Sequence, residues 1–146
     1  MQHDTAVAAV AHTIQLAVAP VFLLSGIGAM LAVLTSRLSR VVDRSRGLQT
    51  ELAGTGPEAV ARIHEQLHTL SRRAKLISHS IAYCTVTALL VCAVIVVLFV
   101  SSFVRFDASL PIALLFVAAM ITLFIGFLQF LREIFIATAN LRISPP

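Results

Sequence analysis

The sequence contains few charged residues, no tryptophan and a single tyrosine. Charged residues make up 12% of its 146 residues, whereas hydrophobic residues make up 58%. A water-soluble domain of this length cannot bury so large an apolar fraction beneath so little charge. The composition therefore excludes an ordinary soluble domain and indicates an integral membrane protein.

Three long stretches lack Asp, Glu, Lys and Arg altogether. They are residues 5–36, 76–104 and 108–131. A helix needs about 20 apolar residues to cross a bilayer core, and it satisfies its own backbone hydrogen bonds there. We therefore predict an all-α protein that forms a single membrane domain over residues 1–146. Its transmembrane helices are predicted at about residues 14–35, 81–104 and 110–131.

The positions of the basic residues predict the orientation. Eight of the eleven Lys and Arg residues lie between Arg37 and His79. Loops rich in Lys and Arg remain in the cytoplasm. We therefore expect a multi-pass protein of the bacterial inner membrane, with its N-terminus outside and its C-terminus in the cytoplasm.

The long loop, about residues 37–79, carries apolar residues at alternating spacings of three and four on both sides of a Gly-Pro turn. That spacing is typical of a coiled-coil seam. We predict a cytoplasmic antiparallel helical hairpin that extends the first and second helices. Its seam residues, which continue into the two spans, are Leu34, Leu38, Val41, Ser45, Leu48, Leu52, Val60, Ile63, Leu67, Leu70, Ala74, Ile77 and Ile81.

Basic residues are concentrated where this hairpin meets the membrane, and anionic lipid headgroups are the ligand we predict for them. The residues are Arg37, Arg40, Arg72, Arg73 and Lys75. The alternative is that they only determine topology. We expect no nucleic-acid partner, because the distal hairpin also carries acidic residues such as Asp43, Glu51 and Glu65.

His64-Glu65-Gln66-Leu67-His68 matches the H-E-x-x-H pattern of zinc proteases. In the seam register, however, these histidines and Glu65 lie on the outer face of the helix. A catalytic zinc needs a third protein ligand and a shielded cavity. We therefore interpret the motif as a solvated helix face and expect no metal, no cofactor and no catalytic residue.

Polar residues at membrane depth are few, and they are functional candidates by default. They are Gln15, Ser25, Thr122, Gln129 and Glu133. We favour pairing of Gln129 and Glu133 with Arg37 or Arg40 at the inner interface. The sequence shows no run of polar residues that would mark a permeation path.

Each predicted transmembrane helix also carries a stripe of small residues, which allow helices to approach closely in lipid. The stripes are Ser25, Gly28, Ala29, Ala32 and Ser36; Cys84, Ala88 and Cys92; and Ala118, Ala119, Thr122 and Gly126. Three helices have a limited common interior. The stripes therefore leave surface available for a homo-oligomer or a partner in a membrane complex.

Several segments also carry a family resemblance. These are Ala19–Ala29 (APVFLLSGIGA), Arg37–Arg44 (RLSRVVDR), Arg72–Ala74 and Phe130–Ile134. With them the chain resembles the bacterial DUF2721 family of small membrane proteins. The resemblance implies three membrane spans, carries over no catalytic residue and does not include the histidine motif.

The leading interpretation is a non-enzymatic membrane protein that self-associates or serves as an accessory subunit. The alternative is a small homo-oligomeric channel or transporter lined by Ser25, Thr122 and Gln129 from several copies.

The predicted orientation can be tested with topology reporters. A reporter after Pro146 and one near Gly54 should both be cytoplasmic, because the intervening helices cross the membrane twice. A reporter at Met1 should be external. A cytoplasmic N-terminus would contradict the three-span arrangement.

Overall fold

A computed structural model describes residues 2–52, 56–104 and 107–139. All the regular secondary structure in these residues is α-helical. The helices are α1 (Gln2–Leu52), α2 (Pro57–Val104) and α3 (Ser109–Ala139).

All three helices contain segments long and apolar enough to cross a membrane: Val10–Leu52, Ala59–Val104 and Ser109–Ala137. The prediction of three long apolar helices is therefore confirmed, and each predicted transmembrane range lies within one of them. In the most apolar part of each helix only 17% of the residues are buried. The other residues are half-buried or exposed, and the exposed ones are available to lipid or to other proteins.

The first and second helices continue well beyond the lengths that a bilayer requires, as the sequence predicted. Helix α1 also passes through Pro20 without ending. It stops at Leu52, and α2 begins at Pro57, which agrees with the preference of proline for a first helical turn. The backbone N–H groups of Ala59 and Val60 donate to the Gly56 carbonyl at 3.1 and 3.3 Å. The centre of the predicted turn, residues 53–55, lies outside the described residues.

Asp107 forms a turn that leads into α3. Its Oδ1 accepts hydrogen bonds from the hydroxyl of Ser109 at 2.7 Å and the backbone N–H of Ser109 at 3.1 Å. These bonds, the hydroxyl bond first, lower the pKa of the Asp107 carboxyl. Because folding lowers the pKa of this carboxyl, its hydrogen bonds stabilise the folded state at pH values above the ordinary aspartate pKa of about 3.9. Their contribution is lost as the pH falls through the lowered pKa.

The chain divides into two compact units. The first comprises Met1–Leu31 and Tyr83–Phe124. Its buried residues include Ile27, Cys84, Val91 and Ala119.

A polar contact within this unit joins α2 to α3. The hydroxyl oxygens of Thr87 and Thr122 lie 3.0 Å apart. Thr87 also donates to the Tyr83 carbonyl, and Thr122 donates to the carbonyls of Ala118 and Ala119. Each hydroxyl therefore has a partner, as a polar group away from water requires.

The second unit comprises Ala32–Ala82 and Ile125–Pro146. Its most deeply buried residues are Leu34, Val41, Leu48, Ile63, Ile77, Ser80 and Glu133. Five predicted seam residues, Leu34, Val41, Leu48, Ile63 and Ile77, are among them. A cavity of about 370 Å³ is lined by further seam residues, Ser45 from α1 and Leu67, Leu70 and Ala74 from α2.

The pairing of α1 with α2 can be tested at Leu48 and Ile63. Leu48 is 3% exposed and Ile63 8% exposed, so Leu48→Asp should destabilise the packed segment by about 2 kcal/mol or more. Amide hydrogen exchange in residues 38–52 should accelerate more than tenfold. Gln49→Asp adds the same charge at an exposed neighbouring position and should have little effect.

A disulfide provides a second, geometric measurement. Cysteines at Leu48 and Ile63, in a background with Cys84 and Cys92 changed to serine, should crosslink within one chain if the seams face each other. Crosslinks that form only between chains would contradict the antiparallel hairpin.

Candidate functional site

Glu133 is a fully buried carboxylate in the second unit. It lies on α3 and only 1% of its side chain is exposed. An ionised carboxylate removed from water is very unfavourable unless it is paired and hydrogen-bonded. Its neighbours must therefore supply positive charge.

Two arginines from two other helices supply that charge. Arg37 on α1 donates from Nη1 to Oε2 of Glu133 at 2.6 Å. Arg73 on α2 donates from Nη2 to Oε1 at 3.0 Å. Both carboxylate oxygens are thus used, and charge-assisted hydrogen bonds of this kind are among the stronger ones in proteins. We refer to Arg37, Arg73 and Glu133 as the ion triad.

An aromatic ring supports one member of the triad. The guanidinium carbon of Arg37 lies 5.2 Å from the centre of the Phe130 ring, within the range of a cation–π interaction. Phe130 precedes Glu133 by three residues, so both lie on the same face of α3. That face therefore presents an anion and a π surface to the same arginine.

A cavity of about 340 Å³ adjoins the triad. Arg40 and Arg44 of α1 line it together with the three triad residues, and Val41 and Leu70 complete its walls. The cavity therefore brings together four guanidinium groups and one carboxylate. Within the part of the chain that the structure describes, Arg40 and Arg44 form no ion pair.

The five residues predicted to bind lipid headgroups lie in different environments. Arg37 and Arg73 bind Glu133, and Arg40 lines the cavity, whereas Arg72 and Lys75 are exposed on α2 and do not line it. Glu133 thus supplies a counter-charge within the chain to Arg37, as predicted, and also to Arg73, for which only lipid headgroups were predicted.

Arg44 was not among the predicted headgroup residues. The signal that could have identified it is its spacing, because residues 37, 40 and 44 recur at three and four and therefore lie on one face of α1.

The predicted intramembrane polar residues do not converge on one site. Gln15 and Ser25 are exposed, and the Ser25 hydroxyl donates to the Val21 carbonyl at 3.3 Å. Thr122 is engaged with Thr87, and Gln129 is half-buried. The predicted pairing of Glu133 with Arg37 is present, and Arg73 is an additional partner that the sequence did not reveal.

The histidine motif lies on the surface of α2. His64, Glu65 and His68 are all exposed, and Nδ1 of His64 lies 3.0 Å from the Val60 carbonyl. Among the described residues, no group of three or more His, Cys, Asp or Glu side chains is close enough to hold a metal ion.

The small-residue stripes differ in exposure. Every member of the first stripe on α1 is exposed. On α3, by contrast, Ala119 and Gly126 are buried and the other two members are half-buried. The α2 stripe runs from buried Cys84 to exposed Cys92, and both are free thiols.

The family model described as "Protein of unknown function (DUF2721)" matches residues 17–143 of the chain. This range contains the ion triad, the four cavity arginines and the greater part of all three helices. No curated protein and no solved structure matches the chain significantly.

Removing the anion tests whether the triad holds its helices together. Glu133→Ala leaves Arg37 and Arg73 facing each other without a counter-charge, which should destabilise the protein by about 2–4 kcal/mol, less than for fully buried arginines because both are about a third exposed. Glu65→Ala removes an exposed carboxylate and is the matched control. Thermal unfolding in detergent measures both variants.

A double-mutant cycle separates the pairing from other effects of the substitution. Adding Arg73→Gln to Glu133→Ala should cost less than the sum of the two single changes. Strict additivity would mean that the pairing of Arg73 with Glu133 contributes nothing to stability.

Proposed function

The chain belongs to the DUF2721 family, and we propose that it is a non-enzymatic membrane protein that self-associates through the exposed face of α1. In this proposal the protein lies in the bacterial inner membrane, with the basic segment between the first two spans in the cytoplasm. The distribution of Lys and Arg supports that orientation. The uncovered small-residue stripe of α1 supports the self-association.

The stripe belongs to a longer regular pattern. Ile14, Val18, Val21, Ser25, Gly28 and Ala32 follow one another at spacings of four and three, the repeat of a coiled-coil seam. All six are exposed. A face with this repeat suits close packing against a second helix, and small residues such as Gly28 and Ala32 let the backbones approach.

The opposite face of α1 is already used within the chain. Ile27 and Leu34 are buried, and in a helix they lie about half a turn away from Ser25 and Ala32. A Cβ atom added at Gly26 or Gly28 would meet nothing within 4 Å. The chain's own fold therefore leaves this face free.

An apolar cavity of about 390 Å³ lies beside the N-terminal part of this pattern. Ile14, Val18 and Val21 from α1 and Ile95 and Phe99 from α2 contribute to its walls. An unfilled apolar recess next to a regular seam suits the side chains of a neighbouring helix. A second copy of α1 offers side chains of that kind at the same spacing.

The channel alternative has less support. Thr122, one of its proposed lining residues, is half-buried and bonded to Thr87. The other two, Ser25 and Gln129, differ in exposure. A polar path between several copies would need these side chains to face a common axis.

Gly28→Ile tests the proposal by placing a branched side chain on the proposed contact face. In native membranes or mild detergent, the dimer fraction measured by crosslinking and light scattering should fall more than tenfold. Ala113→Ile adds similar bulk at an exposed position on α3 and should leave the dimer intact.

A strictly monomeric wild-type protein in native membranes would contradict self-association. Purification with a different protein in a one-to-one ratio would instead identify an accessory subunit. Mass spectrometry of the purified material distinguishes these outcomes.

A further inference from the structure

The cavity beside the ion triad contains more positive charge than the chain neutralises. Four arginines line it, and Glu133 is its sole carboxylate among the described residues. Three positive charges are therefore unbalanced within a space of about 340 Å³. We propose that this cavity binds a phosphate group, with Arg40 and Arg44 as its principal ligands.

The four arginines of the cavity fall into two pairs that differ in whether Glu133 holds them. Those of Arg37 and Arg73 are held by Glu133 at 2.6 and 3.0 Å, so the carboxylate positions them. Arg40 and Arg44 form no ion pair within the described chain, and their planar forks match the oxygens of a phosphate. The cavity thus combines fixed and adaptable donors.

One further donor lacks a partner. Nε of Arg73 is buried and has no hydrogen-bond acceptor among the described residues. Buried donors in proteins are nearly always satisfied, by protein, water or a bound ligand. The residue that carries this N–H, Arg73, also lines the cavity.

The spacing along α1 fits the size of a phosphate-containing ligand. Arg37, Arg40 and Arg44 lie on one helical face, and at 1.5 Å per residue they cover about 10 Å along the axis. The first transmembrane helix is predicted to end at about residue 35. These side chains therefore begin at headgroup depth, where phospholipid phosphates lie.

A free phosphate ion offers the same chemistry from the cytoplasm, so the two sources must be separated by experiment. The site goes beyond the proposed self-association and does not depend on it. The cavity residues lie between positions 37 and 133, whereas the proposed contact face occupies positions 14–32.

The test uses full-length protein in a phosphate-free detergent such as dodecyl maltoside, with and without added phosphatidylglycerol, and separately with inorganic phosphate. Thermal stabilisation and lipid retention in native mass spectrometry report binding. Arg40→Gln with Arg44→Gln should weaken apparent affinity about tenfold or more, since each change removes charge-assisted hydrogen bonds. Both residues are exposed and outside the triad, so the double variant should fold.

Arg46→Gln with Arg62→Gln is the matched control, because it removes the same charge from exposed arginines that do not line the cavity. This control should bind like the wild type. Arg40→Lys with Arg44→Lys keeps the charge without the fork and should bind with intermediate affinity.

Binding of phosphatidylglycerol alone identifies a headgroup site, and binding of inorganic phosphate alone identifies a soluble ligand. Either result supports the proposal if it depends on Arg40 and Arg44. No stabilisation by either probe would overturn it. Equal loss in the cavity variant and in the Arg46, Arg62 control would also overturn it, because the effect would then be one of net charge.

Discussion

A carboxylate without water around it requires positive partners, and the second unit of this protein is organised around that requirement. Glu133 lies on α3, and its partners Arg37 and Arg73 lie on α1 and α2. One buried charge therefore fixes one residue from each helix. Hydrophobic packing in a membrane protein is weakly directional, because lipid is as apolar as the side chains. Ion pairs with both carboxylate oxygens engaged supply the missing geometric specificity.

The triad also divides the basic residues into two groups. Arg37 and Arg73 are neutralised in part by Glu133, whereas Arg40 and Arg44 keep their full charge at the adjoining cavity. An internal carboxylate can thus position a basic cavity without neutralising all of it. In our proposals the cavity arginines bind a phosphate group, and the small residues of α1 contact a second copy. These surfaces use different segments and different physical forces.

Much of the architecture follows from local sequence patterns. Long uncharged stretches predict three apolar helices, and Gly56-Pro57 predicts the point at which α2 begins. The spacing of three and four identifies residues such as Leu48 and Ile63, which are buried. These signals succeed because each is contained within one continuous segment of the chain.

The site depends instead on contacts between distant parts of the chain. Arg37 and Glu133 could be matched from sequence as a scarce acid and a nearby base at the same predicted depth. The contribution of Arg73 could not be predicted from the sequence, since it depends on the rotation of α2 about its axis and on how far along the other helices α2 packs. For the same reason, the spacing of Ser25 and Gly28 cannot reveal that their face is uncovered while that of Ala119 is buried.

The origin of the triad from three helices also has a consequence for biosynthesis. Arg37 and Arg73 precede Glu133 by 96 and 60 residues, and chains are made from the N-terminus at about 5–20 residues per second. The two arginines are therefore synthesised several seconds before their carboxylate. A chain interrupted before α3 retains both arginines but lacks the carboxylate that pairs with them, so an incomplete product differs electrostatically from a finished one.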